Sequence, residues 1–171
     1  MSAPLAGPKK AAWLYGPAAA VALLDQATKH LIREKLAIAQ DWPVFPGFTI
    51  THVTNQGGAF SLLHGRVGLL AVVSVAVIVG LVVYAWRRRT LARWQAAALG
   101  ILLGGTVGNL VDRLVFGRVT DFLDVHVGEW HFPTFNVADI AINAGVACLA
   151  LQLWSAPPPR QDPDSQEEPP R

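Results

Sequence analysis

A long run without a charged side chain, Val67 to Trp86, sets the strongest limit on how this chain can fold. At about 1.5 Å per residue, a helix over this run would cover about 30 Å, the thickness of a bilayer's hydrocarbon core. Three arginines, Arg87 to Arg89, end the run abruptly. We therefore predict a transmembrane helix here.

The composition also indicates a membrane protein. Hydrophobic residues make up 52% of the 171-residue chain and charged residues 15%, whereas a soluble domain carries about 25% charged residues. So few charges cannot cover a water-facing surface. The net charge is only +2, without a long basic stripe, which argues against nucleic acid as a partner.

Three further apolar stretches complete a prediction of an all-α membrane protein with four transmembrane helices. They cover Ala11 to about Leu31, Trp94 to Val111, and Ile140 to Trp154, the last beginning near Asn136. The first stretch could instead be a cleavable signal peptide with Ala18 to Ala20 at the cleavage site. The helical pattern continues beyond these alanines, which favours a span.

Four spans leave both termini on one side of the membrane. The basic residues next to the spans on that side, Lys9, Lys10, Arg87 to Arg89 and Arg93, identify it as the cytoplasm. Basic residues on the other face weaken this asymmetry. We expect a cytoplasmic N-terminus over residues 1–10, one four-span domain over 11–155, and a disordered cytoplasmic tail over 156–171.

Two connections then lie outside the cytoplasm. Arg33 to Arg66 contains Phe48 to Thr54, which is rich in β-branched residues and is predicted to form a short strand in a small β platform. Val119 to Asp139 is short and turn-rich, and carries an aspartate near each end. We expect this second connection to be the catalytic segment.

Asp121 and Asp139 are the candidate catalytic pair, facing one another across a cleft at the rim of the helix bundle. Two carboxylates that meet titrate as a coupled pair with one shared proton. Such a pair can hydrolyse a peptide bond by activating water. Asp124 is a third candidate, but it would face elsewhere on an extended segment.

Other site chemistry has weaker support. Zinc is disfavoured because there is no His-Glu-x-x-His, and His126 and His131 are isolated in sequence. We expect these two to be surface or interface histidines. The single cysteine, Cys148, is expected to be packing filler. Within the enzyme class, a Ser61–Lys29 dyad is the rival to two aspartates.

Polar residues near the span ends have structural explanations as well. Asp25 and Lys29 are spaced to pair on one helix face, and Asp112 and Arg113 are a second possible pair. Asn109 lies on the same face of the third span as Asp112 and Arg113. The Gly104 to Gly108 spacing is typical of close helix packing. Asn136 has the pattern of an N-cap, with Asp139 three residues on.

Five blocks in order make the chain similar to lipoprotein signal peptidase, the bacterial type II signal peptidase. They cover nearly all of Trp13 to Trp154. Thr120 departs from the family's usual aliphatic residue. The blocks are Asp25-Gln-Ala-Thr-Lys29, Thr54-Asn55-Gln-Gly-Gly-Ala-Phe60-Ser61, Gly104-Gly-Thr-Val-Gly108-Asn109-Leu-Val-Asp112-Arg113, Val119-Thr-Asp121-Phe122 and Phe135-Asn136-Val-Ala-Asp139.

The resemblance implies an aspartic endopeptidase of the bacterial cytoplasmic (inner) membrane, with its active site at the outer face. A monomer is expected because one copy suffices for a two-aspartate site. It would cleave diacylglyceryl-modified prolipoproteins before the lipidated cysteine, without a metal or organic cofactor, and globomycin-type cyclic peptides would inhibit it. Asp121 and Asp139 match the catalytic residues. The other matches are the site-lining Asn55, Asn109, Arg113 and Asn136 and the supporting Asp25, Lys29, Asp112 and Gly108.

Two functions outside the enzyme class stay open from the residues alone. A transporter or channel would use a polar path formed by Asp25, Lys29, Asp112 and Arg113, although these cluster towards span ends and no broken-helix repeat is visible. A non-catalytic membrane scaffold would tolerate neutral replacements of Asp121 and Asp139.

Overall fold

A computed structural model gives the structure of the protein and describes residues 6–56 and 66–155. The predicted 1–10 start lies partly outside this range, and the 156–171 tail and Ser61 lie wholly outside it. The described elements are α1 (Gly7–Lys35), β1 (Asp41–Phe45), β2 (Phe48–Asn55), α2 (Val67–Arg87), α3 (Arg93–Phe116), β3 (Val119–Val127), β4 (Trp130–His131) and α4 (Val137–Ser155).

The four predicted helices are confirmed as helices, but two are longer than predicted. The first continues past Leu31 to Lys35. The third continues to Phe116, where Gly117 adopts a left-handed conformation with φ of 64° and donates its N–H to Arg113. Glycine ends the helix there because it takes this conformation without the penalty that a Cβ brings.

Two of the described helices are long and apolar enough to cross a membrane. The best 18-residue windows of α2 and α3 have mean hydropathies of 2.8 and 1.4. The apolar part of α4, Val137–Leu151, is shorter. The second helix also exposes large aliphatic side chains, including Val72 at 66%. The four-span arrangement itself stays a prediction.

Helix α3 is the centre of the bundle and packs against α1, α2 and α4. Its glycines allow this close approach. A Cβ at Gly104 would contact the backbone oxygen of Ala18 in α1, and one at Gly105 would lie 2.5 Å from the backbone oxygen of Ala138 in α4. The packing prediction for the small residues of this helix is therefore confirmed.

The two connections predicted as separate features form one antiparallel sheet with strand order β1-β2-β3-β4. Strand β2 pairs with β3, with Val53 opposite Asp121 and Asn55 opposite Val119. The Val119 to Asp139 segment thus begins with a nine-residue strand, β3, whose end forms a hairpin with β4. The all-α prediction missed this shared sheet.

Cys148 is exposed rather than packed in the core, so the prediction of a packing role is wrong. The buried residues of α4, Ala138, Ala141 and Gly145, end one turn before it. Beyond that point α4 has no buried residue among those that the structure describes.

Candidate functional site

The two candidate aspartates are carried by different elements that meet beside α3. Asp121 lies on β3, where it is buried with 2% exposure. Asp139 is half-buried in the first turn of α4. Asn136, which is fully buried, immediately precedes α4.

Asn136 connects the two aspartates through one carboxamide. Its Nδ2 donates to Asp121 Oδ1 at 2.6 Å, and its Oδ1 accepts the backbone N–H of Asp139 at 3.0 Å. In return, its own backbone N–H donates to Asp139 Oδ2 at 3.2 Å. The predicted capping pattern is therefore confirmed.

Two further asparagines donate to the remaining carboxylate oxygens. Asn55 Nδ2 lies 2.9 Å from Asp121 Oδ2, and Asn109 Nδ2 lies 2.8 Å from Asp139 Oδ1. Each carboxylate is therefore oriented by neutral amide donors on both oxygens. Neutral donors fix the geometry of an acid without neutralising it by a direct ion pair.

Burial raises the pKa of Asp121 from its usual value near 3.8 to about 6. The hydrogen bond from Asn55 acts in the opposite direction and lowers this pKa, while the charge of Asp139 raises it further. A carboxyl group with such a pKa can change its protonation state near neutral pH, as an acid–base catalyst must.

A buried ion cluster fixes the elements that carry the aspartates. Lys29 Nζ lies 2.9 Å from Asp25 Oδ2 and 3.6 Å from Asp112 Oδ2, and it donates to Asn109 at 2.8 Å. Asp25 Oδ1 accepts the N–H of Ala138 at the start of α4. The predicted Asp25–Lys29 pair is confirmed.

The same cluster fixes the start of β3. Asp112 Oδ2 accepts the backbone N–H of Thr120, which precedes Asp121, at 2.9 Å. Gly108 is tightly enclosed, because a Cβ there would lie 2.5 Å from Asp25 Oδ2. Gly108 therefore supports the site by leaving room for the Asp25 carboxylate, not by contacting a ligand.

Asp112 forms ion pairs with Lys29 and Arg33, not with Arg113, so that pairing prediction is wrong. Consecutive helix residues do not face each other. Arg113 instead donates to Asn109 O at 3.3 Å and to Ser74 Oγ at 3.5 Å. Arg33 was not identified from the sequence as a partner of Asp112, although its spacing of four from Lys29 puts both basic residues on one face of α1.

Asp124 faces away from the candidate pair and binds His131 at 2.9 Å, as its place three residues from Asp121 on a strand requires. The histidines are not isolated. His126 and His131 lie opposite each other in the β3–β4 hairpin, with stacked rings whose centroids are 4.8 Å apart.

The rival Ser61–Lys29 dyad has little geometric support. Ser61 lies outside the described residues. The lysine of such a dyad must direct its nitrogen lone pair at the serine, whereas Lys29 directs its N–H groups at two carboxylates and an amide.

A cavity of about 260 Å³ opens beside Asp139. Sequence reasoning missed its remaining polar residue, Asn143, which could have been noticed as an amide within the apolar fourth stretch, one turn after Asp139. The apolar lining is ready to receive a nonpolar part of a substrate. The lining residues are Phe132, Phe135, Asp139, Ile140 and Asn143.

Comparison with known proteins adds a family to this geometry. The model of signal peptidase (SPase) II matches residues 17–155. Lipoprotein signal peptidases from Parasynechococcus marenigrum and Microcystis aeruginosa are 45% and 41% identical, over 84% and 85% of this chain and 89% and 94% of the relative. A solved bacterial membrane enzyme is 26% identical with a TM-score of 0.76, over 91% of this chain and 92% of that one. The chain therefore belongs to the signal peptidase II family and is a membrane aspartic endopeptidase of that type.

Proposed function

We propose that this protein removes signal peptides from diacylglyceryl-modified prolipoproteins, cutting before the lipidated cysteine, with Asp121 and Asp139 as the catalytic pair. Membership of a peptidase family favours this function over a transporter or a non-catalytic scaffold. The buried, ion-paired state of Asp25, Lys29 and Asp112 also argues against a polar transport path through them.

The observation that carries the proposal is the contact of one carboxamide, that of Asn136, with both aspartates. Because β3 and α4 are held by the same residue, the two carboxyl groups keep a fixed relation to each other. A substrate carbonyl and a water molecule can then be oriented by both groups at once.

The first step is attack of water on the scissile carbonyl carbon. The ionised aspartate takes one proton from the water as the new C–O bond forms. The protonated aspartate donates a hydrogen bond to the carbonyl oxygen, where negative charge develops. A tetrahedral intermediate with a negatively charged oxygen results, bound between the two carboxyl groups, which are now both protonated.

The second step breaks the C–N bond of the intermediate. A proton passes from the catalytic pair to the leaving nitrogen, which becomes the free amine of the lipidated cysteine. The other product is the carboxyl terminus of the signal peptide. The pair returns to one shared proton, so the reaction consumes only water and needs no metal or organic cofactor.

We further propose that α1 to α4 all cross the bacterial inner membrane, with both termini in the cytoplasm and the sheet outside. The 29 residues of α1 and 19 of α4 reach about 43 Å and 28 Å at the helical rise. Arg87 at the end of α2 and Arg93 at the start of α3 support a cytoplasmic loop between them.

A site at the outer edge of the bilayer suits such a substrate. The signal helix and the acyl chains can arrive laterally through lipid, while water reaches the carboxylates from outside. One chain contains both aspartates, which supports a monomer as the active form. Globomycin-type cyclic peptides are expected to compete for the same cleft.

The test is cleavage of a diacylglyceryl-modified prolipoprotein by purified protein. Asp121→Asn and Asp139→Asn should abolish turnover while retaining the wild-type thermal unfolding profile. Asp124→Asn is the matched control on the same strand, and it should cut normally, as should Ser61→Ala. Near-wild-type turnover by either Asp121→Asn or Asp139→Asn would refute the catalytic pair.

A further inference from the structure

Asn143 is an exposed amide on a helix face that is otherwise apolar. It follows Ile140, which is 49% exposed, and precedes Val146, which is 51% exposed. Its Nδ2 donates to the backbone oxygen of Asp139 at 2.9 Å. Within residues 6–56 and 66–155, its second N–H and its Oδ1 have no other partner.

An unpaired amide in contact with lipid is costly, so it calls for a partner. Helix α4 packs on α3 and α1, and Asn143 points away from both into the cavity beside Asp139. No described helix supplies that partner. A bound molecule in the cavity is the remaining candidate for the hydrogen bond.

The depth of Asn143 relative to Asp139 indicates which part of a substrate would reach it. Four helical residues correspond to about 6 Å along the axis. If α4 enters the membrane from outside, Asn143 lies that much deeper in the bilayer than the catalytic carboxylate. The nearer glyceryl ester of a lipidated cysteine is separated from the scissile nitrogen by Cα, Cβ, the sulfur and two glyceryl carbons, on the lipid side of that nitrogen.

The cavity lining matches the chemistry of an acyl ester. Phe132 and Phe135 form an edge-to-face pair with centroids 5.9 Å apart, and Ile140 adds an aliphatic surface. Asn143 is the one amide in this lining. An ester presents one carbonyl acceptor next to a hydrocarbon chain, so a single N–H beside apolar side chains satisfies it.

We propose that Asn143 binds the diacylglyceryl group by donating its free Nδ2–H to an ester carbonyl oxygen, with the start of that acyl chain against Phe132, Phe135 and Ile140. This inference rests on the proposed function. It makes Asn143 a specificity-determining residue that recognises the lipid part of the substrate and not the peptide part.

A double-mutant cycle across the enzyme and the lipid tests this contact. Wild type and Asn143→Leu would each be assayed on two lipopeptides of the same sequence, one with the natural diester and one with a diether that lacks the carbonyl oxygens. The wild type should lose about fivefold to tenfold in kcat/KM on the diether, as for one hydrogen bond. Asn143→Leu should lose as much on the diester, and nothing further on the diether.

Control variants separate this contact from general effects. Val146→Leu, on the same exposed face, should match wild type on both lipids. Asn143→Gln retains an amide and should keep part of the preference for the diester. Asn143→Leu should fold at least as well as wild type, because leucine has the higher helix propensity.

Two results would overturn the inference while leaving the proposed function intact. One is wild-type cleavage of the diester by Asn143→Leu. The other is an equal loss on both lipids, which would mean that the amide acts on the peptide or on Asp139. Absence of cleavage by the wild type, in contrast, would refute the proposed function itself.

Discussion

Asn136 and Asp121 are joined by a hydrogen bond of 2.6 Å between Nδ2 and Oδ1, and the other end of the same carboxamide accepts the backbone N–H of Asp139. Strand β3 and helix α4 are therefore aligned by one buried side chain. Removal of this side chain should disturb the relation between the two carboxyl groups more than it disturbs either element alone.

We expect Asn136→Ala to lower kcat/KM by about 100-fold, since small misplacements of catalytic groups have costs of this size. The measurement is prolipoprotein cleavage by purified, folded variant. Thr106→Val is the control, because the buried Thr106 hydroxyl donates to Leu102 O within its own helix, α3. A similar loss in both variants would mean that removal of any buried polar group lowers kcat/KM, whether or not it contacts the aspartates.

The pH dependence of cleavage should respond to Asn55. Its hydrogen bond favours the ionised form of Asp121 and lowers the pKa of that carboxyl. In Asn55→Leu the pKa of Asp121 should therefore rise, by about one unit for a bond to a charged group. One limb of the kcat/KM profile should move to higher pH.

The limb that moves identifies the role of Asp121. A shift of the acid limb means that Asp121 acts ionised, and a shift of the alkaline limb means that it acts protonated. The control is Asp124→Asn, whose profile should stay that of wild type because Asp124 pairs with His131. If Asn55→Leu moves neither limb, or moves one to lower pH, Asn55 does not tune the catalytic pair.

Two glycine substitutions should differ clearly in their effects on stability. In Gly108→Ala, the new methyl group would overlap the Asp25 carboxylate, and we expect a loss of about 1–3 kcal/mol in unfolding free energy. Gly80→Ala in α2 meets open space and should be neutral or slightly stabilising. Thermal unfolding in detergent measures both. Equal behaviour of the two variants would contradict the tight fit at Gly108.

The buried ion cluster should be far more sensitive than an exposed ion pair. Lys29→Met leaves Asp25 without its cation in a fully buried position, and we expect a cost of about 3–5 kcal/mol. Glu34→Gln removes an exposed contact with His30 and should change stability little. The comparison is again by thermal unfolding, and a tolerated Lys29→Met would show that the cluster is dispensable.

Local patterns predicted much of this protein. The charge-free run from Val67, the glycine spacing of α3 and the cap formed by Asn136 with Asp139 each depend on residues close in sequence. Helix positions and the pairing of Asp25 with Lys29 followed from them. Such features are predictable because one element determines them almost alone.

Contacts between distant elements could not be predicted in the same way. The pairing of Val53 with Asp121 joins two connections that are separated by α2 and α3. Asp112 had an adjacent arginine in sequence, yet its charged partners, Lys29 and Arg33, come from α1. The stacking of His126 on His131 follows from the β3–β4 hairpin, which places the two residues opposite each other. In each case the tertiary arrangement decided among several chemically reasonable partners.

The bond from Ala138 N to Asp25 Oδ1 has a consequence for how the protein is made. A ribosome that produces this chain completes α1 long before it reaches α4. During that interval Asp25 depends on Lys29, one turn away in the same helix, for its charge partner. In the proposed four-span topology, this local pair would let α1 enter the membrane before α4 has been made, and Asp25 caps the start of α4 only once that last helix has been synthesised.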